Sequence, residues 1–163
     1  MRSIKTILIA ASALAFSSHL ALAQESDANK DWTEVRIGSE GAYPPFNVLD
    51  ASGQLSGFDI DIAKALCDQM KVTCTFVTQD WDGMIPALQN NRFDAVIASM
   101  SITPERSEQV LFTNKYYNTP GAVAVPKDSD LTELTAEAMS GKTIGTQGST
   151  THSQAMEKYF PDA

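Results

Sequence analysis

From residue 34 onward the chain alternates short apolar runs with longer amphipathic ones. "EVRIGSE" (34–40) reads as a strand, and "FNVLD" (46–50) with the turn-rich "ASGQLSG" after it predicts a short hairpin. A helix is predicted from Asp59, where Ile60, Ala63, Cys67 and Met70 share one face and Ile62 and Leu66 widen it. "CTFVTQ" (74–79) predicts a second strand, "WDGMIPALQN" (81–90) a second helix with Pro86 inside it, and "DAVIAS" (94–99) a third strand. Strands separated by helices of this length imply right-handed crossovers and a parallel sheet. Such sheets bind ligands in the crevice beyond the carboxyl ends of their strands. Glu40, Trp81, Ser99 and Ser101 all fall just past those ends.

Beyond Phe112 the pattern changes. "NKYYNTPGAVAVPKDSD" (114–130) carries prolines, a glycine and an apolar "AVAV", which suits an extended crossing segment. A short echo follows: "IGSEG" (37–41) recurs as "IGTQG" (144–148), each opening a loop after an apolar stretch. Read as a repeat, the two mark a pair of lobes built alike, each presenting a strand-to-loop corner to a shared cleft. "TIGTQ" (143–147) is strand-like and "STTHSQAMEKYF" (149–160) predicts a helix.

The first 23 residues read as an export signal. Arg2 and Lys5 precede a ten-residue apolar run (7–16), and Ala21-Leu22-Ala23 offers a small-x-small cleavage site before Gln24. That run is well short of the roughly 20 residues that span a bilayer. Without Arg2 and Lys5, ten Lys and Arg face 20 Asp and Glu, a net charge near −10. So acidic a chain argues against nucleic acid or an anionic membrane as partner. Cys67 and Cys74 are the only cysteines. In an exported chain they read as a disulfide closing a short loop from a helix end to the next strand, contributing about 2–3 kcal/mol. Two cysteines with no histidine nearby make a poor zinc site, so no metal and no cofactor is expected.

Other chemistry is set aside on order and spacing. "AEAMSGKT" (136–143) mimics a phosphate loop, but a helical run precedes it and a strand-like run follows, the reverse of what that loop needs. His152 is the single histidine of the mature chain and reads as a surface residue at a helix start. Asp59 and Asp61, two apart, face different ways and read as helix-capping acids. One oddity remains. Thr103, Pro104 and Glu105 form a helix start, yet Arg106 sits in that first turn, where the helix dipole disfavours a cation. Either Arg106 is a solvated surface side chain, or an anionic guest shares it with the helix end.

"EGAYPPFNVLDASGQLSGFDIDIAKALC", "QDWDGMIPAL" and "DAVIASMSITPERSEQVLFTNKYY" together resemble the periplasmic polar amino-acid-binding proteins, bacterial solute-binding protein family 3. The likeness is strongest to the lysine/arginine/ornithine and histidine receptors and runs over 36–163. It implies an α/β, two-lobed periplasmic-binding-protein fold with parallel-rich sheets, closing on one free amino acid and delivering it to an ABC permease of the inner membrane. By the same resemblance Arg106 clamps the ligand's α-carboxylate, helped by Ser99, Ser101 and their backbone amides. Tyr43 and Trp81 form an aromatic sandwich for the ligand side chain. Glu40 meets its distal polar group, which favours a cationic amino acid. Thr150 and Thr151 complete the carboxylate site as the lobes close, and Ala98 stands where some relatives carry serine. The Cys67–Cys74 pair matches the disulfide of the cationic receptors.

The expected organisation is a signal peptide (1–23), lobe I (24–118), a crossing hinge segment (119–126) and the beginning of lobe II (127–163). The first lobe is then mostly present and the second cut off near its start, before the family's aspartate for the ligand's α-amino group. A monomeric, non-enzymatic periplasmic receptor for arginine, lysine or ornithine is the leading reading. A cyclohexadienyl dehydratase-like enzyme on the same scaffold and a glutamine, histidine or opine receptor are the alternatives.

Overall fold

In the computed structural model, which describes residues 31–163, β1 (Glu34–Ser39) lies at the centre of a three-stranded sheet. It pairs in parallel with β5 (Thr73–Thr78) on one side, from Glu34 opposite Thr73 to Ser39 opposite Thr78. On the other side it pairs in parallel with β6 (Ala95–Val96) through Ile37 and Gly38. The order β5-β1-β6 places consecutive crossovers on opposite sides of β1. Such a reversal opens a crevice at the carboxyl ends of the strands. The predicted hairpin forms a small antiparallel sheet of β2 (Ala42–Tyr43), β3 (Asn47–Leu49) and β4 (Leu55–Ser56).

Each face of the parallel sheet has its own core. Helix α1 (Phe58–Met70) turns Ala63 and Cys67 onto Ile37, with Val35, Val72, Phe76 and Ile97 around them. On the other face Met84, Ala87, Phe93 and Ala98 pack with Val77, Leu88 and Val96. Gly38 makes this second core possible, since a Cβ there would lie 2.7 Å from the Phe93 ring. Gly57, just before α1, has φ 114° and sits so close to Phe46 that a side chain would meet its carbonyl. The Cys67–Cys74 disulfide ties α1 to β5, with Cα atoms 6.1 Å apart.

Three predicted elements differ from the pattern. The helix expected over 81–90 opens as a 3-10 turn (Trp81–Gly83) and only then becomes α2 (Met84–Gln89). Pro86 falls in the first turn of α2, where its missing N–H has no helical partner to lose. The strand expected over 94–99 is reduced to β6, because Ser99 takes φ 55° and turns the chain out of the ladder. Residues 143–147 are not a strand; no described strand pairs with them, and an extended run without a neighbour has no ladder to join.

After β6 come α3 (Pro104–Ser107), a long irregular stretch, α4 (Ala136–Met139) and α5 (Thr151–Tyr159). Thr103 caps α3 as its sequence announces, accepting from the Arg106 N–H at 3.2 Å, with Pro104 at the first helical position. Thr150 caps α5 through a reciprocal box with Ser153. Trp32–Ala163 form one compact unit. The expected export signal and its cleavage after Ala23 lie outside the described residues.

Candidate functional site

The carboxyl ends of the parallel strands and the loop before α5 enclose a cavity of ≈ 420 Å³, counted with the solvent at its mouth. It is lined by Glu40, Tyr43, Trp81, Ser99, Ser101, Arg106, Thr150 and Thr151, all eight residues singled out from the sequence. Ala98, Gln147 and His152 complete the lining. The strand-end rule explains the convergence: Glu40 follows β1, Trp81 follows β5, and Ser99 and Ser101 follow β6.

Arg106 is the electrostatic centre of this cavity. Its Nη1 donates to the Ser101 carbonyl at 2.9 Å and its Nη2 to the Ser149 carbonyl at 3.1 Å. Its guanidinium lies over the Trp81 ring, 5.3 Å from the centroid. No carboxylate among the described residues bonds to it. Burial pushes its pKa down, and only the charge of neighbouring Glu105 opposes that. Arg106 is therefore a half-buried cation whose N–H groups rest on neutral oxygens while its charge has no counterion in contact.

Ser99 and Thr150, expected as donors to a ligand carboxylate, have their donors turned inward. The Ser99 hydroxyl donates to Asp59 Oδ2 at 2.8 Å and its N–H to the Tyr116 hydroxyl at 3.0 Å. The Thr150 hydroxyl donates to the Gln147 carbonyl at 2.8 Å, while its N–H is taken by Ser153 Oγ. The hydroxyls of Ser101 and Thr151 carry no such bond among the described residues, so together with Arg106 they are the open donors of this wall. The aromatic pair is also partly engaged. One face of Trp81 carries Arg106, its Nε1 donates to the Ser149 carbonyl at 3.0 Å, and Tyr43 stacks on Phe46 at 5.2 Å.

Behind Ser99 lies a polar cluster missed in the sequence. Asp59 is 0% exposed. It accepts from Asn47 Nδ2 at 2.7 Å, from Ser99 Oγ at 2.8 Å and from the Tyr116 hydroxyl at 2.8 Å. Asn47 in turn accepts from the Gly41 N–H at 2.8 Å. Asp59 was expected to cap α1; instead Gly57 holds the cap position without a side-chain bond, and Asp61 stays exposed. Burial, then the bond to Asp59, pushes the Tyr116 phenol well above its ordinary range. The adjacent aromatic group of Phe46, Phe58, Tyr116 and Tyr117 has ring centroids 4.9–6.3 Å apart.

Gln147 was also missed. Its Nε2 donates to Glu40 Oε1 at 2.7 Å. A signal for it existed: Gln147 occupies in "IGTQG" the place that Glu40 occupies in "IGSEG". His152, read as a surface residue, is exposed but does line the cavity. Among the described residues no group of three or more His, Cys, Asp or Glu could hold a metal, and no helix is long and apolar enough to cross a membrane.

Known proteins are similar to this chain in sequence and fold. The L-arginine-binding protein of Pseudomonas aeruginosa is 48% identical over 128 residues, covering 78% of this chain and 49% of that protein. The ABC transporter arginine-binding protein 1 of Escherichia coli (strain K12) is 43% identical over 129 residues, covering 79% of this chain and 52% of that protein. The solved structure of an ancestral arginine-binding protein bound to arginine matches with a TM-score of 0.72 and 41% identity, over 77% of this chain and 55% of that one. The chain spans about half the length of the curated relatives it matches. Residues 35–161 match the family model itself, so the chain belongs to the bacterial extracellular solute-binding proteins, family 3.

Proposed function

We propose that the chain is the ligand-binding part of a periplasmic receptor that takes up a cationic amino acid, arginine, lysine or ornithine, and delivers it to an ABC importer. The observation that carries this reading is Arg106, a half-buried guanidinium without a counterion, in the same cavity as the carboxylate of Glu40. An α-carboxylate supplies the missing anion and fits the planar fork of arginine with two parallel bonds. A second cationic group on the ligand's side chain answers Glu40. Ser101 and Thr151 add hydroxyl donors on the carboxylate side, and Tyr43 and Trp81 flank the aliphatic or guanidinium portion by apolar and cation–π contact. Thr150 and Ser99 shape the wall rather than donate.

In this reading, 24–118 and 127–163 belong to different lobes joined through 119–126, and ligand bridging them stabilises the closed form. The hydrogen bonds that Trp81 and Arg106 make to the Ser149 carbonyl support that geometry, since they link residues 68 and 43 positions apart through the cavity wall. A guanidinium, an aromatic pair and open hydroxyls suffice to hold an amino acid, so the reading is a binding protein, taken as a monomer, rather than a dehydratase-like enzyme.

A thermal melt with and without millimolar amino acids tests it. A ligand held only by the folded chain at a hundredfold excess over its dissociation constant adds about 2.7 kcal/mol of stability. Arginine, lysine or ornithine should raise the midpoint and glutamate should not. A shift by glutamate alone would refute the role given to Glu40, and indifference to every amino acid would refute binding by this chain.

A further inference from the structure

The two pentapeptides that echo each other in the sequence meet in the fold. Their fourth residues, Glu40 and Gln147, are joined by the 2.7 Å bond from Gln147 Nε2 to Glu40 Oε1, and both line the cavity of Arg106. A carboxylate only accepts hydrogen bonds. The Gln147 amide must therefore turn its NH2 toward Glu40 and its oxygen away. Neither Glu40 Oε2 nor Gln147 Oε1 has a partner among the described residues, and no Lys or Arg there forms an ion pair with Glu40. The bond thus holds a charged and a neutral acceptor beside each other, both unfilled.

We propose that Gln147 is a specificity-determining residue that, with Glu40, forms a two-acceptor seat for a guanidinium in preference to a primary ammonium. A guanidinium is planar, weakly hydrated and carries five N–H groups in a rigid fork, so it can bond the carboxylate and the amide oxygen together. An ammonium is a compact, strongly hydrated point charge on a flexible stem; it gains its main contact from Glu40 alone. Removing the amide oxygen therefore costs the guanidinium a bond that the ammonium uses little. Gln147 also fixes the Glu40 side chain, but fixing alone would favour both cations equally, so the arginine-to-lysine ratio isolates the second acceptor.

This inference rests on the cationic amino-acid reading above, and titration calorimetry separates the two. Arginine and lysine are titrated into the wild-type chain, Glu40→Gln and Gln147→Leu. Wild type should prefer arginine. Gln147→Leu should weaken arginine about tenfold while lysine changes by less than about threefold, the size expected for one net hydrogen bond. Glu40→Gln should weaken both. Gln147 is exposed, and the melt of each variant checks its fold. A wild-type preference for lysine, or an unchanged arginine-to-lysine ratio in Gln147→Leu, overturns the role of Gln147. Unchanged affinity for both ligands in Glu40→Gln overturns the cationic reading itself, and the seat with it.

Discussion

Arg36 and Arg106 use the same side chain in opposite ways. Arg36, in the middle of β1, sets its Nε and Nη2 on the two oxygens of Asp94 at 3.0 and 2.8 Å, and its Nη1 on the Arg92 carbonyl. The same carboxylate accepts the Arg36 backbone N–H, so side chain and ladder are joined at the edge of β6. That hydrogen bond to Asp94 raises the pKa of Arg36, whereas burial lowers that of Arg106, which among the described residues bonds to carbonyls and to no carboxylate. The two acids repeat the contrast. Asp59 is sealed under three donors, and Glu40 opens into the cavity with one. Charges closed on internal partners tie distant elements together; charges left open face the cavity.

The contrast is sharpest at the arginines. Arg106→Ala should lower amino-acid affinity by about a hundredfold or more, read by calorimetry, because the ligand's buried carboxylate loses its partner. Arg106→Lys should recover little of it, since an ammonium lacks the fork. Arg36→Gln should leave affinity unchanged and lower only the melting midpoint. Equal losses of affinity at both positions would erase the distinction.

At the acids the expected effect passes from binding to stability. Asp59→Ala strands the donors of Asn47, Ser99 and Tyr116 and should cost about 3 kcal/mol in urea unfolding. Reducing the Cys67–Cys74 disulfide should cost about 2–3 kcal/mol on the loop-entropy account and leave ligand preference intact. The smallest effect is a pH slope. The Tyr116 pKa is raised in the fold, so the folded state holds its proton more tightly than the unfolded chain does. Its contribution is complete below the ordinary tyrosine value of about 10 and fades as pH climbs above it. Denaturation midpoints measured across that alkaline range should fall more steeply for the wild type than for Tyr116→Phe; parallel curves would show that burial and the bond to Asp59 do not raise the phenol's pKa.

Much of this was legible in one dimension. Val35 and Ile37 mark β1, and the spacing of Ile60, Ala63 and Cys67 marks the buried face of α1. Arg106 stood out because a cation in a capped first turn contradicts the local dipole, and the family motifs named eight of the eleven residues that line the cavity. The missed parts share a cause. Asp59 and Asp61 look alike in "FDIDIA", and only the packing of α1 on the hairpin buries one and exposes the other. The donors of Ser99 are engaged by Tyr116 and Asp59, 17 and 40 residues away. No local pattern reports a bond of that span.

Most element types in 34–99 and the motifs of the cavity wall were thus legible in the sequence alone, because periodicity and caps are properties of neighbouring residues; the strand-like 143–147 found no neighbour to pair with. Where strands stop, which hydroxyls still have a proton to offer and which acid stays open were decided only in the tertiary structure. A hydrogen-bond donor is spent on whichever acceptor the fold brings within about 3 Å, and the chain's order does not contain that distance.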